Sequence, residues 1–186
     1  MTAALSIFLV GMMGAGKSTV GLRLARLLDR PFIDVDRELE ARLGVDIPTV
    51  FALEGEAGFR RRESALLDEL TRGRGQVVAT GGGAVLAESN RAALAGRGLV
   101  VFLKASPSDL WQRLRRDRQR PLLRTENPRQ RVEQLVELRD PLYHAVADLV
   151  ITTGRQPIDE AVEAILAWQA SPECQAIIRQ KESCRN

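Results

Sequence analysis

Short apolar runs alternate with longer stretches in which apolar residues recur every three or four positions. Residues 5–10 (LSIFLV) form the first run and stop at Gly11. The run shows no apolar/polar alternation, as expected of a strand buried on both faces of a parallel sheet. A helical stretch follows, with Val20, Leu24, Leu27 and Leu28 on its apolar side. Phe32, Ile33 and Val35 predict a second strand, and helical periodicity then covers 37–43, 47–53 and 57–70. Residues 76–79 predict a third strand and 99–103 a fourth. Ser106-Pro107-Ser108-Asp109 reads as a helix start: serine caps, proline suits the first helical position, and aspartate meets the positive end of the dipole. Asn127-Pro128 repeats the device and opens a helix reaching Val146, in which Pro141 should introduce a kink. Residues 149–151 predict a fifth strand, and Pro157 opens a helix with Ile158, Val162, Ile165 and Leu166 facing inward. Strands alternating with helices predict an α/β fold with a parallel sheet covered on both sides.

After Ala170, Ser171-Pro172 sets off a polar tail, residues 171–186. A short helix around 174–179, or no fixed structure, is compatible with its pattern. There is no internal repeat and no low-complexity linker. The 186 residues, 45% hydrophobic and 27% charged, suit one domain with a real core and exclude a disordered chain. The net charge of +3 leaves room for anionic small molecules without demanding nucleic acid. His144 is the single histidine, which excludes multi-histidine metal sites; it reads as a surface or packing residue. Trp111 and Trp168 read as packing residues. Cys174 and Cys184 both fall in the tail, a pattern that fits a reducing cytosol. The N-terminal stretch lacks the marks of a signal peptide, and no apolar run approaches the roughly 20 residues that span a bilayer. A cytoplasmic protein is expected, or one of a stroma-like organelle compartment if the chain is a processed form.

Gly11-Met12-Met13-Gly14-Ala15-Gly16-Lys17-Ser18 matches G-x-x-x-x-G-K-[ST], with a buried strand before it and a helix after it. Glycines let successive N–H groups point into one concavity, and the helix start adds partial positive charge. Lys17 can reach the β- and γ-phosphates, Ser18 can ligate Mg²⁺, and Thr19 can contact the α-phosphate. A glycine-rich turn that binds nothing is the alternative, and the strand–loop–helix context speaks against it. Strand alternation would place Asp34 and Asp36 on one side, at the sheet end where ligands gather. One could hold Mg²⁺ through water and the other take a hydroxyl proton; alternatively, Asp36 caps the following helix. Of Arg60, Arg61 and Arg62, helical geometry lets one or two face a pocket. Thr80-Gly81-Gly82-Gly83 offers bare backbone to a ligand, more glycine than a simple turn explains. Arg113, Arg115, Arg116, Arg118 and Arg120 precede Pro121-Leu122-Leu123, in a connector suited to a lid over transferring phosphate. A solvated helix end is the plainer alternative for these arginines.

Together these motifs closely resemble the shikimate kinase family, a member of the nucleoside-monophosphate-kinase-like group of phosphate-loop folds. Further matches are Gly44 through Ile47, Val50-Phe51, Gly55-Glu56, Phe59-Arg60, Glu63, Arg120 through Leu123, and Arg139 with Pro141-Leu142-Tyr143. The resemblance implies a three-layer α/β/α phosphate-loop NTPase fold with a five-stranded parallel sheet over residues 1–170, with a lid at about 114–127; the tail is not covered. It implies ATP plus shikimate giving ADP plus 3-phosphoshikimate. Lys17, Asp36 and Arg120 would be catalytic, with Asp36 the proton acceptor. Gly14, Ala15, Gly16, Lys17, Ser18 and Thr19 would hold the phosphates, and Arg120 would reach the transferring one. Arg113, Arg155 and Gln156 would border adenine. Ser18 would ligate Mg²⁺, with Asp34 behind it. Arg60 and Arg139 would clamp the shikimate carboxylate. Asp36, Phe51, Phe59, Gly81, Gly82, Gly83, Pro121 and Leu122 would complete the acceptor pocket. Val50 stands where the family commonly has isoleucine, a change that conserves most of the volume.

A monomer acting on a small molecule, with no nucleic acid or membrane partner, is expected. Gluconate kinases and nucleoside monophosphate kinases are the nearest rivals. The aspartate pair, Arg60, the triple glycine and Arg139 favour a compact anionic polyol over either. A nucleic-acid module using ATP as a switch would have aromatics among its arginines, yet aromatic content is only 4%. An inactive relative would not be expected to keep Lys17, Asp36 and Arg60.

Overall fold

The computed structural model describes residues 4–117, 121–154 and 156–183. Five strands, β1 (Ser6–Val10), β2 (Phe32–Asp34), β3 (Val77–Ala79), β4 (Gly98–Lys104) and β5 (Leu149–Thr152), form one sheet in the order β2-β3-β1-β4-β5. Every pairing is parallel; Ile7 of β1 stands opposite Val77 on one side and Leu99 on the other. All of β1 is buried, which accounts for its unbroken apolar run, whereas the edge strand β5 alternates between half-buried and exposed residues.

The helices are α1 (Lys17–Leu28), α2 (Val35–Leu43), α3 (Ile47–Arg72), α4 (Glu88–Arg97), α5 (Pro107–Leu114), α6 (Pro128–Val146), α7 (Ile158–Gln169) and α8 (Pro172–Ser183). Short 3₁₀ turns lie at Ala84–Leu86 and Pro121–Leu123. α1 packs against α7, while α4 packs against α3 and α6. Ser106 Oγ accepts from Asp109 N at 3.1 Å, and Asn127 Oδ1 from Gln130 N at 3.2 Å, so both predicted caps form.

Several expectations change. Val35 is the first residue of α2 and not strand, because Asp34 Oδ1 accepts from Arg37 N at 3.3 Å and caps the helix. Asp34, rather than Asp36, is therefore the cap. The two carboxylates share a region because one ends a strand and the other opens a helix, and not through strand alternation. The stretches at 47–53 and 57–70 belong to one element, broken at Gly55 (φ 69°, ψ 179°). α4 carries too few apolar residues for periodicity to reveal it; Asn90, Ala93 and Leu94 are its buried positions. α6 runs through Pro141 to Val146, the span expected from the sequence. Two faces are rotated from the expected ones: Leu27 (54% exposed) and Ile158 (43%) point outward, while Ala25, Ala161 and Trp168 are buried. His144 lies at the surface, edge-on to Phe102 and 3.4 Å from the Asp140 carboxylate.

The tail forms α8 and packs on α7. Cys174 is a free thiol with no exposed surface. Lys181 Nζ donates to Gly98 O (2.9 Å) and Asp148 Oδ2 (2.5 Å), and the same carboxylate oxygen accepts from Val100 N (2.7 Å). α8 is thereby tied to the start of β4. Among the described residues no helix is long and apolar enough to cross a membrane. Lys181→Ala should lower stability by about 1–2 kcal/mol, since it removes a partly buried charge-assisted pair. A lower urea midpoint at unchanged slope would be the expected readout.

Candidate active site

Because all five strands are parallel, their C-terminal ends lie along one edge, and the loops leaving β1, β2 and β3 converge there. The loop after β1 ends at Gly16, whose left-handed backbone (φ 96°) starts α1. Lys17 folds over this loop, its ammonium donating to Gly11 O (2.8 Å) and Met12 O (2.9 Å). Thr153 Oγ1 donates to Ala15 O at 3.0 Å. Arg113 spans Gly14 O (2.8 Å) and Gly154 O (2.5 Å). The loop is thus braced from β5 and α5. Around it opens a cavity of about 510 Å³, lined by residues 14–20, Arg113 and Gln156 among others.

A second cavity of about 670 Å³ adjoins the first. Met13, Ser18, Asp34, Asp36 and Gly82 line both. Arg60 and Arg139 both open on the second cavity, with Phe51, Phe59, Pro121 and Leu122 as its apolar wall. Arg61 and Arg62 do not line it, and Arg62 instead pairs with Glu54. Arg115 and Arg116 are exposed and line neither cavity. Arg118, Arg120 and Arg155 lie outside the described residues. Every other site residue expected from the sequence lines one or both cavities.

One cation and one carboxylate are held here nearly out of water, with a second, partly buried cation, Arg60, beside them. Arg139 is 2% exposed and Glu63 1%. Glu63 Oε2 accepts from Arg60 Nη1 at 2.6 Å, Glu56 accepts from Arg60 Nη2 at 3.2 Å, and the guanidinium lies 5.0 Å from the Phe59 ring centre. Burial raises the pKa of Glu63 above the usual carboxylate value, against the pull of Arg60. For Arg60, burial opposes the charge, yet Glu63 and Glu56 outweigh it and raise the pKa. Burial lowers the pKa of Arg139. Arg60 Nε, Arg139 Nε and Glu63 Oε1 have no hydrogen-bond partner among the described residues. A pocket with two guanidiniums against one buried carboxylate is suited to an anion, and its planar forks suit a carboxylate.

The triple glycine makes this packing possible. A Cβ at Gly83 would lie 2.2 Å from Arg60 Nη2, and one at Gly81 would lie 2.1 Å from Glu63 Oε1 and 3.0 Å from Asp36 Oδ1. Gly82 O accepts from Arg139 Nη1 (3.1 Å) and Tyr143 Oη (2.5 Å). The sequence signalled the Arg60–Glu63 and Arg139–Tyr143 pairs only as i,i+3 and i,i+4 spacings, and it gave no sign of Thr153 as a loop brace.

Ser18 Oγ donates to Asp34 Oδ2 at 2.5 Å, which sets two hard oxygen donors at the mouth of the phosphate loop. Among the described residues no cluster of three or more His, Cys, Asp or Glu could hold a metal by itself. The Ser18–Asp34 pair suits Mg²⁺, which takes few protein ligands and completes its shell with water and phosphate.

A family model for shikimate kinase matches residues 13–170. The shikimate kinase of Bordetella avium (strain 197N) is 59% identical over 162 residues, covering 87% of this chain and 78% of that protein. That of Ralstonia nicotianae is 56% identical over 161 residues, covering 87% and 85%. Among solved structures, the shikimate kinase of Acinetobacter baumannii in complex with shikimate superposes with a TM-score of 0.86 at 47% identity, covering 88% of this chain and 91% of that one. A gluconokinase from Sinorhizobium meliloti reaches a TM-score of 0.57 at 21% identity over 100% of this chain and 98% of that one, a likeness of fold alone.

Gly83→Ala should leave the fold intact, because its Cβ meets the far end of a flexible side chain. The thermal midpoint should move by only about 2–4 °C. Calorimetric affinity for shikimate, the ligand of the Acinetobacter structure, should fall at least about tenfold as Arg60 is displaced. Unchanged affinity would show that Arg60 does not grip the ligand.

Proposed function

The chain belongs to the shikimate kinase family, and on that premise we propose how its cleft phosphorylates the 3-hydroxyl of shikimate with ATP. The carrying observation is the wall shared by the two cavities, where Ser18, Asp34, Asp36 and Gly82 face both.

ATP occupies the cavity of the phosphate loop. N–H groups of residues 14–19 and the N-terminus of α1 receive the phosphates, with Thr19 at the α-phosphate. Lys17 exchanges the carbonyls of Gly11 and Met12 for β- and γ-phosphate oxygens. Arg113, Arg155 and Gln156 border the base. Ser18 and Asp34 would hold Mg²⁺, the first directly and the second through water. When bound, the ion would supply positive charge that offsets the charge of the phosphates.

Shikimate occupies the second cavity. Arg60 and Arg139 take its carboxylate, and Gly82 N–H, flanked by Gly81 and Gly83, meets the acceptor. Phe51, Phe59, Pro121 and Leu122 pack on the ring. Asp36 orients the 3-hydroxyl and takes its proton. The hydroxyl oxygen forms a bond to the γ-phosphorus as the bond to the β,γ-bridging oxygen breaks, and that electron pair leaves with ADP. Arg120, carried by the lid, neutralises charge on the transferring group. The reading is completed by a monomer that acts on a small molecule in the cytoplasm, without nucleic acid or membrane partners.

ADP release with Mg²⁺ should depend on shikimate. Turnover of gluconate or CMP with none of shikimate would overturn the acceptor assignment. Lys17→Ala and Arg120→Ala should each lower kcat at least about a hundredfold in that assay. Arg139→Ala should act mainly by raising KM for shikimate, and unaltered kinetics would remove Arg139 from the clamp.

A further inference from the structure

We propose that Tyr143 is a positioning residue that pins the Gly82–Gly83 peptide and so holds the backbone partner of Arg139 in the cavity that takes an anionic acceptor. The inference rests on shikimate being that acceptor.

Tyr143 is 1% exposed and lines neither cavity. It reaches the dividing wall from behind: its hydroxyl donates to Gly82 O at 2.5 Å, and Arg139 Nη1 donates to the same oxygen at 3.1 Å. The two residues sit four apart on α6, so one helix face supplies both donors. The Tyr143 ring stacks on Phe102 with centroids 4.9 Å apart. Phe102 is paired in the sheet with Val10, the last residue of β1 before the phosphate loop. The stack fills space behind the wall, while the hydroxyl makes the contact to it. Burial pushes the phenol pKa up, which keeps it protonated and a donor across the neutral range.

This peptide needs such a restraint. Gly82 and Gly83 have no Cβ to oppose a flip of the plane between them. The neighbouring carbonyls have local partners: Gly81 O accepts from Ala84 N at 3.1 Å and Gly83 O from Leu86 N at 3.0 Å. Gly82 O has none from its own turn and is held by the two side chains of α6. In a trans peptide C=O and N–H point in opposite directions. Holding the carbonyl toward α6 therefore turns the Gly83 N–H the other way. A flipped plane would withdraw the carbonyl from Tyr143 and Arg139 and leave the Arg139 guanidinium, which opens on the second cavity, without its backbone acceptor.

Tyr143→Phe keeps the ring and removes the hydroxyl that holds Gly82 O and neighbours Arg139. KM for shikimate should rise about 3- to 10-fold, the effect of one lost hydrogen bond, while KM for ATP stays within about twofold. Phe102→Leu is the counterpart: it loosens the ring stack and should lower the thermal midpoint while leaving KM for shikimate unchanged. A Tyr143→Phe enzyme with wild-type KM for shikimate would overturn the proposal, as would an equal rise for both substrates or an equal rise in the Phe102→Leu enzyme. Failure of the wild-type enzyme to turn over shikimate would instead remove the acceptor assignment, which separates the two failures.

Discussion

A guanidinium and a carboxylate, Arg139 and Glu63, are held almost out of water beside a second, partly buried guanidinium, Arg60, and the rest of the cleft is arranged around that constraint. Charge taken out of water must be paired, hydrogen-bonded or neutralised. Arg60 finds Glu63 and Glu56, whereas Arg139, deeper, finds a backbone carbonyl and a phenol. The single buried carboxylate leaves the trio with surplus positive charge. On the proposed reading, the acceptor's carboxylate supplies what the protein withholds, and its affinity comes from charges whose desolvation was met on folding. Backbone without side chains at residues 81–83 lets these groups lie close together.

The sheet gives this pocket its position beside a phosphate site. With β1 central and β3 beside it, the loop that cradles phosphate and the triple glycine leave adjacent strands. A Cβ on Gly82 would stand 3.0 Å from Met13 N, so the two loops touch backbone to backbone. The two cavities therefore share a wall that includes this backbone contact. In-line transfer between small molecules needs this proximity more than it needs covalent chemistry from the protein. The tail contributes elsewhere: α8 anchors at the start of β4, the end of that strand away from the cleft.

Much of the site was legible because its chemistry is local. A phosphate loop is contiguous, and its residue types follow from what a polyphosphate needs. Asp34, Asp36, Arg60, the glycines and Arg139 could be picked out by type and order, although their convergence rested on family resemblance. Asp34 and Asp36 are both competent to cap α2, and only the length of the strand decides that Asp34 does. Helix α4 went unnamed because its buried face is small. Thr153 and Tyr143 escaped because each acts on a backbone carbonyl more than 60 residues away in the chain, and carbonyls leave no mark in a sequence.

The sequence alone determined the alternation of strands and helices, the phosphate loop, and the stock of charged groups, since periodicity and contiguous motifs depend on neighbours along the chain. Tertiary structure decided which arginine of Arg60, Arg61 and Arg62 faces inward, that Glu63 is buried beside it, that the tail is a packed helix, and that Gly82 is held from behind. These depend on burial and on contacts between distant segments, and neither exists until the sheet has brought its loops to one edge.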